Sequence, residues 1–598
     1  MEKKKVLLCY LRLKKPADQL WEYTGLFYLA AALTRSGFTP LVWHEDWRGA
    51  LDAALTHLPL CLGFSCDAEN QHFLEGFIPR IRRELEERTG KHHTIVVGGP
   101  QAMSLGREFL EHSGADAVLR GEGEETLPGL LSLLEKRQLS GPASLKPEDI
   151  PYPGIAWLDE QGAYHEKSGI GLVEDLRTLP RPAYQASLHR RLYGRVIFTG
   201  RGCPFSCAFC ASNVGHQKLR LRKISDVLAE INDNLEREPR IRFLILQDDT
   251  FCTSVDRVRE FCAGMRLIRE KRPIVWFCET HVRTILRNRE LLREMVESGL
   301  VRMQIGMESG DPAVLKQYRK NVTPEEELEL VQMAVDVGLP QIAGNFIIGG
   351  PPEKEGATEA FIRKLLRVGA GITDISTGFL RAYPFTAISK DPSSYGLRLL
   401  SDDKRSAGDD FPSVIPEGMT AEEVTALRQT CNKAVREEID RCIRKRLIPL
   451  ERVMAQMRLN EEYGISSRWI KELSVRAMVY EYYRMIYLKE GQPYSRSLPS
   501  EYVYPQRTFQ FYRGVVNRDG IYHLDGTILS PLERDLLFYC AGKLTIVQIV
   551  EALWEKYGDS YEDQGELLDA VENLLEQADS HYWITVFVFD ESTAGAHT

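Results

Sequence analysis

Between residues 195 and 380, six short apolar runs (196–199, 243–247, 275–278, 302–307, 342–348 and 375–380) alternate with helix-length patterns such as 224–235 and 325–337. A strand that returns through a helix lands parallel to its predecessor, so this alternation restricts the segment to a parallel sheet with covering helices. Six β-α units predict a sheet curled into a partial (β/α)6 barrel, with its strand ends turned to one cavity. An earlier series, with runs at 6–11, 40–43, 60–64, 94–97 and 115–119, predicts a separate open parallel sheet of Rossmann-like α/β type. Ligands of open sheets sit at the carboxyl ends of the strands. Those ends carry Ser65-Cys66-Asp67, Gly98-Gly99-Pro100 and Gly121-Glu122-Gly123-Glu124. Glycine there either lets a flat or phosphate-bearing ligand approach the backbone or simply makes a tight strand-to-helix turn.

The rest of the 598 residues divides by composition. Residues 138–194 are rich in Pro and Gly and read as a linker with a short hairpin, and 401–500 read as a helical extension of the barrel segment 195–400. Within that extension the aromatic stripe from Tyr480 to Tyr487 has helical spacing, the pattern of packing rather than of a cofactor site. Residues 501–598 predict a winged-helix-like α+β domain: a hairpin of 509–516 and 521–524 about Asn517-Arg518-Asp519-Gly520, then three helices. A net charge of -9 argues against general affinity for nucleic acid or anionic membranes, and no apolar run approaches the ~18 residues of a membrane span. The amino-terminal apolar run is broken by Arg12, so the expected compartment is the cytoplasm and the twelve cysteines are expected as thiols or ligands.

Three of those cysteines cluster, in Arg201-Gly202-Cys203-Pro204-Phe205-Ser206-Cys207-Ala208-Phe209-Cys210, directly after the first strand of the barrel series. Thiolates suit iron-sulfur clusters or zinc. A structural zinc closes with a fourth ligand, for which His216 is the nearest candidate. A 4Fe-4S cluster on three cysteines instead keeps one iron open, where a substrate can chelate.

The spacing Cys-x3-Cys-x2-Cys, with Phe209 before the last cysteine, resembles the radical S-adenosylmethionine (SAM) superfamily. The resemblance implies that Cys203, Cys207 and Cys210 hold a 4Fe-4S cluster, that SAM chelates its open iron, and that an electron from the cluster breaks the sulfonium to give a 5'-deoxyadenosyl radical. It places Phe209 near the adenine and implies further SAM contacts at Asp248, Asp249, Glu308, Ser309 and Gly349. Gln247-Asp248-Asp249 looks like the second-strand motif of cobalamin-associated members, and Gly306-Met307-Glu308-Ser309-Gly310 the fourth-strand motif. Residues 346–353 resemble the fifth-strand Ile-x-Gly-x-Pro-Gly-Glu pattern with Pro352 in place of Gly, and Tyr383-Pro384-Phe385-Thr386 a Tyr-Pro-Gly-Thr with Phe385 in place of Gly. For Glu308 and Glu353 a salt bridge or helix cap is the competing reading.

An α/β domain ahead of the cluster domain, here 1–137, resembles the cobalamin-binding domain of cobalamin-dependent radical SAM enzymes. That resemblance implies cobalamin contacts at Ser65, Gly98, Gly99, Gly121, Glu122 and Gly123. The Asp-x-His-x-x-Gly motif is absent: Leu11-Arg12-Leu13 follows the first strand, so no imidazole would reach the lower face of the corrin.

The last domain resembles PqqD-like modules, which bind leader peptides of ribosomally made, modified peptides. Its 6 Lys or Arg against 17 Asp or Glu disfavour a DNA-reading winged helix, and a dimerisation module remains the other option. Together the resemblances imply an enzyme with a 4Fe-4S cluster, SAM and methylcobalamin that methylates an unactivated carbon of a precursor peptide. Its partners would be that peptide, held by the last domain, and an electron donor such as a flavodoxin or ferredoxin. Two alternatives stay open. One is a peptide maturase that cyclises, epimerises or crosslinks without net methyl transfer; the other is a non-catalytic peptide-binding or redox-sensing protein.

Overall fold

The structure, a computed structural model, describes residues 4–12, 23–67, 69–188, 194–213, 218–400 and 411–589. Leu13 and His216 lie outside them. Two compact units result, one of residues 1–369 with 373–438, the other of 370–372 with 439–598.

The first unit opens with five parallel strands, β1 (Lys5–Tyr10), β2 (Thr39–Trp43), β3 (Cys61–Ser65), β4 (Thr94–Gly98) and β5 (Ala117–Leu119), in the spatial order 2-1-3-4-5. The period of two divides β1 between two cores: Leu7 and Cys9 join Phe64, Phe77 and Ile78 on one face, while Val6 and Leu8 join Leu26, Phe27 and Leu130 on the other. Both faces are covered, as a parallel sheet requires. The hairpin within 138–194 extends this same sheet: β6 (Ile155–Leu158) pairs antiparallel to β5, and β7 (Tyr164–Lys167) to β6. Trp157 of β6 is fully buried against Leu145, whose carbonyl accepts its indole N–H.

Six parallel strands follow, β8 (Gly194–Ile197), β11 (Phe243–Leu246), β12 (Val275–Glu279), β13 (Leu300–Glu308), β14 (Gln341–Ile348) and β15 (Thr373–Phe379), each beside the next in chain order. That succession is the partial barrel expected from the sequence. Between β8 and β11 lies a short ribbon, β9 (Gly200–Arg201) paired antiparallel with β10 (Arg220–Leu221), so the cysteine loop leaves and returns through adjacent strands. A further ribbon, β16 (Leu397–Leu399) with β17 (Val414–Pro416), leads to the helix Ala421–Arg444, where Val424 packs onto Phe379 and Ile415.

In the second unit the helices Leu450–Tyr463, Arg468–Val475 and Ala477–Lys489 precede β18 (Val503–Arg507), which pairs with the final strand β22 (Ile584–Val588). The aromatic stripe packs: Tyr482 and Tyr483 are buried against Tyr582, and Arg446 lies over the Tyr482 and Tyr582 rings. Between β18 and β22 stand a three-stranded antiparallel sheet, β19 (Val516–Arg518), β20 (Ile521–Leu524) and β21 (Thr527–Leu529), and three helices, Pro531–Tyr539, Ile546–Tyr557 and Gln564–Ser580. The first strand of the hairpin is shorter than the sequence suggests. Residues 511–514 form a helical turn, and the chain reverses at Asp519-Gly520, both in the left-handed region that a two-residue primed turn demands. Ser530 with Glu533 and Thr545 with Gln548 form capping boxes that start two of the helices.

Candidate functional site

At the carboxyl ends of β1, β3, β4 and β5 lies a cavity of about 740 Å³. All six residues expected to contact cobalamin line it: Ser65, Gly98, Gly99, Gly121, Glu122 and Gly123. The wall is bare because side chains have no room behind it. A Cβ on Gly99 would lie 2.7 Å from the Cys66 carbonyl oxygen, and one on Gly121 would lie 2.3 Å from that of Gly171. Leu8, Val96, Leu119 and Leu127 supply an apolar floor, and Tyr10 stacks on Tyr23 at 4.1 Å beside it. Arg12, within the Leu11-Arg12-Leu13 stretch that stands in place of the histidine motif, also lines the cavity. Its Nε and Nη2 are buried without a hydrogen-bond partner among the described residues.

The opposite side of the same cavity belongs to the barrel: Phe198, Arg201, Gly202, Ala211, Ser212, Gln247, Asp249, Tyr383 and Pro384. The two ends of the cysteine loop, Arg201-Gly202 and Ala211-Ser212, therefore face the strand ends of the first sheet, while Cys203, Cys207 and Cys210 do not line the cavity. Cys203, Cys207 and Cys210 are partly exposed, while the other nine cysteines are buried. Among the described residues no three His, Cys, Asp or Glu side chains converge as ligands of a single metal ion. A cubane cluster asks for another arrangement, one thiolate per iron, which three partly exposed cysteines on one loop can supply.

Packing fixes that loop. Phe205 stacks on His281 at 4.1 Å, Phe209 meets Tyr318 edge-on at 4.9 Å, and the Ala208 N–H donates to the Tyr318 carbonyl. The Gly202 N–H donates to Asp249 (3.0 Å), whose other oxygen accepts from the Ser212 hydroxyl. Asp248 points elsewhere. It is buried, accepts from the backbone N–H (2.7 Å) and hydroxyl (2.5 Å) of Thr199, and burial pushes its carboxyl up to about 6 against those bonds. It ties the end of β8 to that of β11 rather than lining the cavity.

The other expected SAM contacts are likewise engaged by protein partners. Glu308 closes β13 with φ of 64°, and its carboxylate accepts from Lys320 Nζ at 2.8 Å, both side chains being buried. Gly306 leaves the notch this pair occupies, since a Cβ there would lie 2.1 Å from Glu308 Oε1. Ser309 donates to Glu353 (3.1 Å), which also accepts from Thr358. Gly349, φ 77°, is demanded by packing, because its Cβ would stand 2.5 Å from Val424. Phe385 holds φ of 67°, so the backbone keeps the conformation glycine favours although the residue is aromatic. Glu279, at the end of β12, accepts from Gln304 (2.8 Å), and burial, helped by Asp249, raises its carboxyl to about 7.

Sequence reasoning did not single out Arg201, Arg220, Lys320 or Arg12. Arg220 and Arg222 alternate in a strand-like stretch. Two arginines on one strand face are a signal for buried carboxylate partners.

Residues 197–365 match the Radical SAM superfamily model, so the chain carries a radical SAM domain. An uncharacterized methyltransferase of Pyrococcus horikoshii is 30% identical over 278 residues, 45% of this chain and 57% of the relative. The chain thus spans little more than half of that relative's length. By structure, it is similar to the radical SAM methyltransferase TsrM from Kitasatospora setae with cobalamin and a [4Fe-4S] cluster bound: TM-score 0.56, 17% identity, 81% of this chain and 99% of that one. It is also similar to the cobalamin-dependent SAM radical enzyme OxsB with aqua-cobalamin bound: TM-score 0.57, 16% identity, 97% and 85%. At these identities the likeness is one of fold. No helix among the described residues is long and apolar enough to cross a membrane.

Proposed function

We propose that this protein is a cobalamin-dependent radical SAM methyltransferase that methylates a carbon centre of a ribosomally made peptide. The observation that carries the reading is a cavity whose one wall is the glycine-lined strand ends of the open sheet and whose other wall includes Arg201, Gly202, Ala211 and Ser212, which flank the cysteine loop of the barrel. When bound, the cluster and SAM supply a 5'-deoxyadenosyl radical, and cobalamin supplies a transferable methyl group.

The chain's own residues prepare that chemistry. Cys203, Cys207 and Cys210 would each take one iron, and Asp249 orients the start of their loop through the Gly202 N–H. The bare wall at Gly98, Gly99, Gly121 and Gly123 would let a flat macrocycle lie against the backbone. The methyltransferase name of the P. horikoshii relative supports methyl transfer, and the cobalamin in the TsrM and OxsB structures supports the cofactor.

The peptide part of the reading rests on the second unit. β19 pairs with β20 on one side only among the described residues, and Val516, Ile521 and Ile528 are exposed around it. Tyr512, 85% exposed, and Phe538 stand beside Phe511 in an aromatic group. An open strand edge next to exposed apolar and aromatic side chains suits an extended peptide added as a further strand.

Anaerobic reconstitution with iron, sulfide and hydroxocobalamin, followed by SAM, a reductant and short peptides from reading frames neighbouring the gene, tests the reading. A mass gain of one methyl group with two SAM consumed supports it. A product lighter by two hydrogens, or protein that never acquires corrinoid absorption, overturns methyl transfer.

A further inference from the structure

The turn that forms the cavity wall also grips the cysteine loop. β9 and β10 bracket that loop, and their register sets Arg201 opposite Arg220. Two like charges facing each other across a ribbon repel unless anions intervene. Glu122 accepts from Arg220 Nη2 (2.7 Å) and Nη1 (2.9 Å) and lies 3.3 Å from Arg201 Nη1; Glu124 accepts from Arg201 Nη2 at 2.7 Å. The four side chains are nearly out of solvent, with exposures from 6% to 13%. Burial alone would weaken these charges, yet the guanidiniums hold the Glu122 carboxyl below the usual carboxylate range. The turn itself is rigid, because the Glu122 N–H donates to the Gly171 carbonyl (2.7 Å) and the Gly171 N–H to that of Arg120 (2.8 Å).

We propose that Glu122 and Glu124 are positioning residues that tie the cysteine loop to the cavity wall, so that a corrinoid seated against Gly121 and Gly123 stiffens the loop carrying Cys203, Cys207 and Cys210. Their carboxylates bind the arginines of the ribbon from within the wall that the ligand would touch. The inference rests on the reading of the cavity as a cobalamin site. Its consequence is that the two cofactor compartments are linked through four buried charges before any substrate is present.

Hydrogen exchange of the iron-free protein, with and without hydroxocobalamin, tests this. In the wild type the corrinoid should slow exchange across residues 200–213 about tenfold. In Glu122→Gln/Glu124→Gln, compared with the wild type at equal corrinoid occupancy read from the absorption spectrum, that slowing should be lost. The pair Glu122→Gln/Arg220→Met breaks one bridge without stranding the Arg220 charge, and should lose the response in a folded protein. Slowing that is as large in both variants as in the wild type, or a wild-type loop indifferent to bound corrinoid, overturns the proposal. Wild-type protein without corrinoid bands overturns the cobalamin reading and the inference with it, and does so in the absorption spectrum before exchange is measured.

Discussion

Lys320→Met removes the cation that neutralises Glu308 inside the barrel wall. The pair is buried, with side-chain exposures of 10% and 7%, and fills the space left by the missing side chain of Gly306. Removing one partner of such a pair costs about 3–5 kcal/mol, because an uncompensated carboxylate stays behind. Replacing both by uncharged groups of similar size is nearly neutral. The double variant Glu308→Gln/Lys320→Met should therefore recover most of the loss, a coupling of about 3 kcal/mol. A chain of two units does not unfold as one two-state system, so the suitable assay is native-state hydrogen exchange over β13 and β14. A loss of about 3 kcal/mol speeds exchange there by roughly two orders of magnitude. Glu327 sharpens the contrast: burial raises its carboxyl well above the usual carboxylate range despite Lys320, whereas Glu308 is the carboxylate in direct contact with Lys320. A single variant as protected as the wild type, or a double variant no better than the single, refutes the reasoning.

Glu279→Gln should gain stability relative to the wild type as pH rises. A carboxyl raised from 4.5 to about 7 contributes stability that is full below 4.5 and lost by about 7, so the gain builds over that window to at most about 3 kcal/mol, read by hydrogen exchange at β12. Asp579→Ala removes the acceptor of Arg446 (2.6 Å), the Tyr482 hydroxyl (2.8 Å) and the Tyr494 N–H (3.2 Å), and should cost the second unit about 3–5 kcal/mol. Thermal melting of the full chain should show that unit's transition falling while the other holds. Gly520→Val places a β-branched residue at φ of 84° and should cost about 1–2 kcal/mol, seen as faster exchange at β19 and β20 with the three following helices unchanged.

The legible parts of the molecule were those set by local pattern. The barrel strands announced themselves as apolar runs, the cysteine loop by spacing within eight residues, and the strand-end glycines by position; all six residues expected at the cavity line it. What stayed hidden depends on distant partners. Glu122 lines the cavity as expected, but its bridge to Arg220, 98 residues away, is invisible in the sequence, as is the tie of Asp248 to Thr199, 49 residues away. The region 138–194 looks like a linker because β6 and β7 are short and take their order from the edge of β5. The apolar stretch 509–516 mimics a strand, but its aromatic residues gather into a cluster with Phe538 and curl the chain into a helical turn.

The measurement that tests the account most directly is electron paramagnetic resonance of the anaerobically reconstituted, reduced protein with and without SAM. A 4Fe-4S signal that changes when SAM is added, and that vanishes with the cluster iron in Cys203→Ala, Cys207→Ala and Cys210→Ala, is the expected result. A cluster indifferent to SAM, or one that forms equally well without those three cysteines, would contradict it.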